Sequence, residues 1–219
     1  MKKLLITAAL ALTAITSSAT SVMVLDDFST AHGHTVSSLI SRIDPSIKIE
    51  KIHASATWTF DSAINAIPKN TRTVVNVSMQ LTGESYCYGT TAKLMSNATQ
   101  NGAVFVIAAG NVYANSLNTK NSAYFPTNCP NVVVVGTQEN EQIADYSKES
   151  DVVDVYVPIP SLGLFSPTLR GTSFSAPVVT ALIANWLDTD PTLTVAQIKE
   201  KLAEHSNNRI ATFETLGLK

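Results

Sequence analysis

Short, largely apolar runs alternate along this chain with longer segments in which apolar residues recur every three or four positions. The short runs are bounded by turn-forming residues, which is typical of strands that a sheet buries on both faces. They lie at residues 22–25, 73–78, 103–109, 132–135 and 153–157, and residues 47–52 alternate like a further strand. The longer segments predict helices. These cover residues 32–43, 58–67, 91–100, 173 to about 187, and 195–205.

This alternation predicts the fold class. Continuously apolar strands separated by helices are typical of α/β proteins in which helices cover both faces of a parallel sheet. In such sheets the chemistry takes place at the carboxyl ends of the strands. Asp26, Ser78, Gly110 and Asn111 all lie at such ends, so that edge of the sheet is the predicted site.

The first 19 residues have the pattern of a secretory signal peptide. Lys2 and Lys3 form a positive start, residues 4–15 are apolar but short for a membrane span, and small residues precede a cleavage point after Ala19. We therefore expect export to a periplasm or out of the cell, and no membrane association after the signal is removed. One domain is expected over residues 20–219. A buried first helix is the alternative.

Charge and cysteine content narrow the function classes. Of the 219 residues, 45% are hydrophobic and 15% are charged, and a net charge of −2 gives no basic field for nucleic acid. No glycine-rich phosphate-binding motif opens a helix, which disfavours a nucleotide-binding module. Cys87 and Cys129 are the two cysteines. They are expected to form a disulfide after export, with two separate buried thiols as the alternative.

Residues 171–177, with the sequence GTSFSAP, stand where an irregular polar stretch gives way to an apolar helix. Gly171 permits a tight turn, and Ser173 then falls in the first helical turn, where unpaired N–H groups and the helix dipole favour developing negative charge. A hydroxyl in that position can be a nucleophile. The alternative is an ordinary N-cap formed by Thr172 or Ser173.

Four segments taken together resemble the subtilisin-like serine peptidases. VMVLD at residues 22–26 is similar to the strand that ends in the family's catalytic aspartate, and HGHTV at residues 32–36 is similar to its histidine helix. FVIAAGN at residues 105–111 resembles the strand before the oxyanion-hole asparagine, and residues 171–177 resemble the nucleophile segment. The order Asp, His, Ser is the subtilisin order among convergent triads. The resemblance implies a three-layer α/β/α fold of minimal size with a mostly parallel sheet.

The resemblance also implies a secreted endopeptidase that hydrolyses peptide bonds through an acyl-enzyme intermediate. Ser173 is the expected nucleophile, His32 the base, Asp26 the group that orients the base, and Asn111 a donor to the oxyanion. No cofactor is expected. No metal site is expected either, because the acidic loops typical of the family's calcium sites are not evident.

Neighbouring residues offer alternatives within two of these motifs. Asp26 is preferred over Asp27 because it directly follows the apolar strand, and His32 is preferred over His34 because it precedes the glycine. His34 is then expected to play a structural role behind the site. His53 has no motif around it and is expected to be a surface or packing residue.

The expected substrate is a polypeptide that binds along the strand ends. Ser78, Met79 and Gly110 are the expected substrate-binding residues, because an extended peptide pairs with the backbone of such a strand as an added strand. Gln80 and Leu81 follow where the family commonly has a glycine pair. Their side chains are therefore expected to narrow the cleft.

Two further departures from the family pattern bear on activity. Five residues separate Asp26 from His32, where the family has a longer excursion. The first strand follows the signal almost at once, where secreted relatives usually carry a folding propeptide. A separate chain that assists folding or inhibits the protein is therefore a candidate partner. A catalytically impaired, peptide-binding relative is the alternative to an active peptidase.

Overall fold

The described part of the chain is built around a seven-stranded, mostly parallel sheet. A computed structural model describes residues 20–55, 57–79, 87, 89–112, 126–161 and 169–218. The strands are β1 (Ser21–Asp26), β2 (Ile49–His53), β3 (Thr73–Val77), β4 (Ala103–Ala108), β5 (Val132–Glu139), β6 (Gln142–Ile143) and β7 (Val155–Val157). The helices are α1 (Ala31–Ile43), α2 (Thr57–Asn65), α3 (Gly89–Gln100), α4 (Ala176–Thr189) and α5 (Val195–Glu204).

The strand order places the predicted site residues at one edge of the sheet. The sheet runs β2-β1-β3-β4-β5 in parallel, β7 also pairs with β5 in parallel, and β6 forms an antiparallel hairpin with β5. Leu25 is in register with Val77, and Val77 is in register with Ile107. Because parallel strands all point the same way, the residues that follow β1, β3 and β4 come together.

Helices cover both faces of the sheet. Along β1, Val22 and Val24 pack in one core with α1, α4 and α5, whereas Met23 and Leu25 pack in a second core with α2 and α3. All four side chains are buried, because successive residues of a strand point to opposite faces. The predicted three-layer α/β/α fold with a mostly parallel sheet is confirmed.

Helix α4 anchors the predicted nucleophile segment in the core. Its residues 176–184 are all buried, as expected for a helix that is apolar on every side. It packs across β1, β3, β4 and β5 and begins at the carboxyl edge of the sheet. The turn that precedes α4 is therefore held against the strand ends.

The predicted start of this helix is wrong. Thr172–Phe174 form a short 3₁₀ turn, and α4 begins at Ala176. Pro177 explains the break, since in a continuous α-helix its nitrogen would donate to the Ser173 carbonyl, and proline has no N–H. The Ser173 carbonyl is thereby left for another donor.

A second difference lies at β5, which continues to Glu139 and turns into the unpredicted strand β6. Asn140 and Glu141 make the turn with φ values of 52° and 60°. Thr137 and Gln138 are polar yet buried. The apolar run therefore ends before the strand does.

Some expectations fall outside the described residues, namely the signal peptide at 1–19 and the narrowing of the cleft by Gln80 and Leu81.

The expected disulfide between Cys87 and Cys129 is present, with the Cα atoms 4.9 Å apart. Within the described ranges, no helix combines the length and the hydropathy needed to cross a bilayer.

Candidate active site

Asp26 ends β1 with a carboxylate that is buried at the edge of the sheet, with 1% of the residue exposed. Its Oδ1 accepts hydrogen bonds from His32 Nδ1 at 2.8 Å and from the Asp27 backbone N–H at 2.7 Å. Its Oδ2 is buried and has no hydrogen-bond partner among the described residues. An unpaired buried acceptor costs roughly 1–3 kcal/mol, more if it is charged. Folding stability alone does not favour such a group, whereas a functional site can retain it.

A short loop and a close helix contact bring His32 to Asp26. Thr30 caps α1, and its Oγ1 accepts the His32 backbone N–H at 3.3 Å. At Gly33, a Cβ atom would lie 3.0 Å from the Phe28 ring and 3.1 Å from Asp26 Cβ. The glycine after His32 therefore lets α1 approach the end of β1, and the predicted pairing of the His32 ring with Asp26 is observed.

Asp27 has a different set of partners from Asp26. Its Oδ1 accepts the Ser29 backbone N–H at 2.9 Å and the Ser29 hydroxyl at 2.5 Å. The Ser29 hydroxyl, then the Ser29 N–H, and then the nearby His53 lower the pKa of Asp27. Asp27 thus stabilises the loop between β1 and α1, and the imidazole of His32 is hydrogen-bonded by Asp26.

His53 stabilises the loop between β1 and α1, a role that the sequence did not predict. Its Nδ1 accepts the Phe28 backbone N–H at 3.2 Å and lies 3.5 Å from Asp27 Oδ1. His53 is paired in register with Asp26 on the neighbouring strand. That register is set by the whole sheet, so no local motif around His53 indicates the contact.

Ser173 forms two hydrogen bonds with Ser78 across the site. Ser78 Oγ donates to Ser173 O at 2.9 Å, using the carbonyl that Pro177 leaves free, and Ser173 Oγ donates to Ser78 O at 2.9 Å. Within the described structure, the Ser173 hydroxyl therefore bonds neither to His32 nor to a helical N–H group. The N-cap of α4 is Ser175, which makes no side-chain capping bond.

Although Ser173 makes no hydrogen bond to His32, the 3₁₀ turn that contains Ser173 lies beside the His32 ring. The centroid of the His32 ring is 5.3 Å from that of Phe174, and α1 packs against the 3₁₀ turn. Because Nδ1 of His32 binds Asp26, its Nε2 is the nitrogen left for a second partner, and the described residues offer it none. A hydrogen bond from Ser173 to Nε2 requires the Ser173 hydroxyl to rotate away from Ser78.

Thr172 holds Asn111 in one orientation. The Thr172 backbone N–H donates to Asn111 Oδ1 at 2.9 Å, and Thr172 Oγ1 accepts the Gly110 N–H at 2.9 Å. Gly171 has a φ of 130°, and a Cβ atom there would lie 3.4 Å from Asn111 Nδ2. Only glycine adopts that φ readily, and its lack of a side chain leaves space beside the amide nitrogen.

Two N–H donors remain without an acceptor among the described residues at this point. One is Asn111 Nδ2, whose partner atom Oδ1 is already engaged. The other is the Ser173 backbone N–H, at the start of a turn whose first bonds are made by the N–H groups of Phe174 and Ser175. Unpaired donors at a helix start favour a negatively charged oxygen.

A backbone pairing that the sequence did not predict fixes Asn111 from the other side. Asn111 and Ser147 form an isolated antiparallel bridge. On either side of it, the Val112 N–H donates to Tyr146 O at 2.7 Å and the Lys148 N–H donates to Gly110 O at 3.1 Å. Segments 110–112 and 146–148 thus form a small ladder. Their pairing is non-local, so only the family resemblance could have indicated it.

The expected substrate-binding residues occupy different positions at this edge. Ser78 is buried, and its Oγ accepts a hydrogen bond from Asn76 Nδ2 at 2.9 Å. Met79 is half-buried and packs against the core beside α2 and α3. Gly110 lies next to Asn111, with its N–H bound by Thr172. In the described ranges, no group of three or more His, Cys, Asp or Glu side chains is placed to hold a metal ion.

Known proteins resemble this chain in sequence. The chain is 28% identical over 169 residues to subtilisin DY of Bacillus licheniformis, covering 73% of this chain and 60% of that protein. It is 29% identical over 195 residues to subtilisin amylosacchariticus of Bacillus subtilis subsp. amylosacchariticus, covering 78% of this chain and 49% of that protein. The chain thus spans about half to three fifths of the length of these relatives.

Solved structures share the fold. A cold-adapted subtilisin-like serine proteinase superposes with a TM-score of 0.66 at 19% identity, covering 89% of this chain and 85% of that one. A protease of Pseudoalteromonas arctica gives 0.63 at 24% identity, covering 80% of this chain and 63% of that one. The sequence profile of peptidase S8, the subtilase family, matches residues 26–217. The matched range holds Asp26, His32, Asn111 and Ser173, and the chain belongs to the subtilase family.

Proposed function

We propose that this chain is a serine-type endopeptidase that hydrolyses peptide bonds of polypeptide substrates through an acyl-enzyme intermediate. The observation that carries the proposal is the 2.8 Å hydrogen bond between His32 Nδ1 and Asp26 Oδ1, at the sheet edge where the Ser173 turn also lies. Membership of the subtilase family supports it. The unpaired donors beside Ser173 add a place where negative charge can be stabilised.

In the proposed acylation, the Ser173 hydroxyl leaves Ser78 O and turns to His32 Nε2. Its oxygen then attacks the carbonyl carbon of the scissile bond while its proton passes to Nε2. Asp26 accepts a hydrogen bond from the Nδ1–H group of His32 and so stabilises the imidazolium. Asn111 Nδ2 and the Ser173 N–H donate to the developing oxyanion. His32 then protonates the leaving nitrogen, and the C–N bond breaks.

In the proposed deacylation, a water molecule attacks the acyl carbon as its proton passes to His32 Nε2. The tetrahedral intermediate collapses, and the Ser173 oxygen takes the proton back as the product acid leaves. While the serine points at His32, Ser78 O is free to accept an N–H group of the bound peptide. This supports Ser78 as a place where the peptide pairs with the backbone. Met79, the next residue along the chain, and Gly110, whose N–H is held by Thr172, are proposed to line the cleft beside it.

Export is part of the proposal. Residues 1–19 act as a signal peptide that is cleaved after Ala19, and residues 20–219 form the peptidase domain in a periplasm or outside the cell. The disulfide between Cys87 and Cys129 supports an oxidising compartment. A separate chain that assists folding or inhibits the protein is the proposed partner besides the substrate.

One observation favours a second candidate function. The Ser173 hydroxyl donates to Ser78 O and not to His32. A protein fixed in this arrangement would bind peptides without cleaving them. The two functions differ in whether the serine becomes nucleophilic.

Labelling with a fluorophosphonate tests the choice, because the reagent reacts with an activated serine. We expect one label per molecule, located at Ser173 by peptide mass, and none in the variant Ser173→Ala. The change leaves Ser78 O without its donor and should cost no more than roughly 1–3 kcal/mol in the free energy of unfolding. Ser38→Ala, at an exposed position of α1, is the control and should label fully. Peptide binding without labelling would favour the second function.

A further inference from the structure

The backbone nitrogen of Thr20 lies against a carboxylate at the far side of the molecule from the candidate active site. Its N–H donates to Asp188 Oδ1 at 2.6 Å. Thr20 is 6% exposed and directly precedes β1, whereas Asp188 is an exposed residue in the last turn of α4. In the uncleaved chain this nitrogen belongs to a neutral amide with a single N–H.

We propose that Asp188 is a binding site for the α-ammonium group that forms on Thr20 when the signal peptide is removed. This inference rests on the proposed cleavage after Ala19. Hydrolysis of the Ala19–Thr20 bond by a signal peptidase consumes one water and leaves a carboxylate on Ala19 and an amine on Thr20. An α-amine is mostly protonated at neutral pH, so processing converts a neutral hydrogen bond into an ion pair.

The surroundings of Thr20 favour a cation. The carboxyl end of α4 carries the negative end of the helix dipole, which stabilises positive charge within the last turn. Asp188 and Asp190 add two carboxylates there. Asp190 already interacts with the basic side chains of Arg72 and Lys201, whereas the Nε of Arg72 donates to Pro191 O at 2.5 Å and its Nη2 donates to Leu193 O. Asp188 is therefore the carboxylate left for the Thr20 nitrogen.

The ion pair would join the strand that ends in Asp26 to the helix that follows the Ser173 turn. β1 has six residues and α4 has fourteen, so each is about 20 Å long. α4 runs antiparallel to β1, with its start near the carboxyl end of β1 and its last turn near Thr20. Asp26 and Ser173 lie at one end of this pair of elements, and Thr20 and Asp188 lie at the other. Processing would therefore tighten the packing of β1 on α4.

The test is a comparison of full-length chains exported with and without Gly-Ser inserted between Ala19 and Thr20. Intact mass should show Thr20 as the first residue of the parent. The insertion moves the ammonium away and leaves a neutral N–H on Asp188, and it should lower the Tm by about 2–4 °C, the size expected when one hydrogen bond loses its charge assistance in a domain of this length. In Asp188→Asn, whose side chain still accepts an N–H, the insertion should have no effect. In Asp190→Asn, the matched control, the 2–4 °C difference should persist.

Two results would overturn the proposal, namely a parent that begins at another residue and an insertion effect that is the same in Asp188→Asn as in the parent. All chains carry Ser173→Ala, so self-cleavage cannot contribute. The readout is thermal unfolding, which does not depend on peptidase activity. If labelling showed that the protein is not a peptidase, the Tm comparison would still test the role of Asp188 independently.

Discussion

The adjacent aspartates at the end of β1 allow a matched pair of substitutions. Asp26→Asn is expected to lower kcat by roughly 10³–10⁴, because an amide neither holds the imidazole in the required tautomer nor stabilises its positive charge. Asp27→Asn should have a much smaller effect, because Asp27 binds Ser29 and not the His32 ring. Steady-state kinetics on a peptide substrate test this. Equal losses in the two variants would contradict the assignment of Asp26.

Thr172 offers a second prediction, at a residue that should not itself react. Thr172→Val keeps the backbone N–H that holds Asn111 but removes the acceptor of the Gly110 N–H. Leaving that N–H unpaired costs roughly 1–3 kcal/mol and lets the Asn111 amide shift. We expect kcat to fall with little change in KM, because the oxyanion forms only in the reaction.

Thr172→Ser is the matched control, since it keeps the hydroxyl and loses only a methyl group. It should retain most of the parent activity. If the Val and Ser variants had the same kcat, the hydroxyl bond to Gly110 would have no role in positioning Asn111.

Single residues also show where sequence interpretation ends. Asp26 and Asn111 were predictable because each follows an apolar strand, and parallel strands share one edge. The two bonds between Ser173 and Ser78 were not. They depend on a carbonyl that Pro177 leaves free and on a hydroxyl 95 positions away in the chain. No local pattern encodes that pairing.

At the scale of elements, the predictable ones are those with a regular pattern of apolar residues. β4 is buried at every position and was predicted within one residue. β6 has two residues and no apolar pattern, so it was missed. The 3₁₀ turn before α4 was missed because the pattern of apolar residues does not distinguish it from a first helical turn, although Pro177 carried the information.

The disulfide gives an element-scale prediction. Cys87 lies just before α3 and Cys129 just before β5, and the two are 42 residues apart. Closing a loop of that length stabilises the folded state by roughly 4 kcal/mol on the chain-entropy model. Replacing both cysteines with serine should lower the free energy of urea unfolding by about that amount, and reductant should then have no further effect. An unchanged unfolding midpoint would contradict this.

At the scale of the whole molecule, the site is a product of topology. A parallel sheet places Asp26 and the residues that follow β3 and β4 at one edge, and α4 packed across the sheet delivers the Ser173 turn to the same edge. The fold class was predictable because helix and strand periodicities alternate. The contacts of segments 110–112 with 146–148 were not, because they depend on how β5, β6 and the following loop pack.

Stability against pH supplies a last prediction, through the buried Lys148. Lys148 is 1% exposed, and burial lowers the pKa of its ammonium from 10.5 to about 8. Between these two pH values the unfolded chain binds a proton at Lys148 that the folded chain has released. Stability therefore rises with pH across this window. The contribution is fully present above about pH 10.5 and is lost as pH falls through about 8.

Lys148→Met removes this titration, so the Tm of the variant minus that of the parent should decrease steadily from pH 7.5 to pH 10.5. Any change in packing energy caused by the substitution is independent of pH, so it does not affect the slope of the Tm difference against pH. Lys51→Met is the control, because Lys51 is exposed on the edge strand β2 and its ammonium stays in water whether the chain is folded or unfolded. Parallel pH curves for Lys148→Met and the parent would show that Lys148 is charged in the folded protein throughout, with its charge compensated inside the fold.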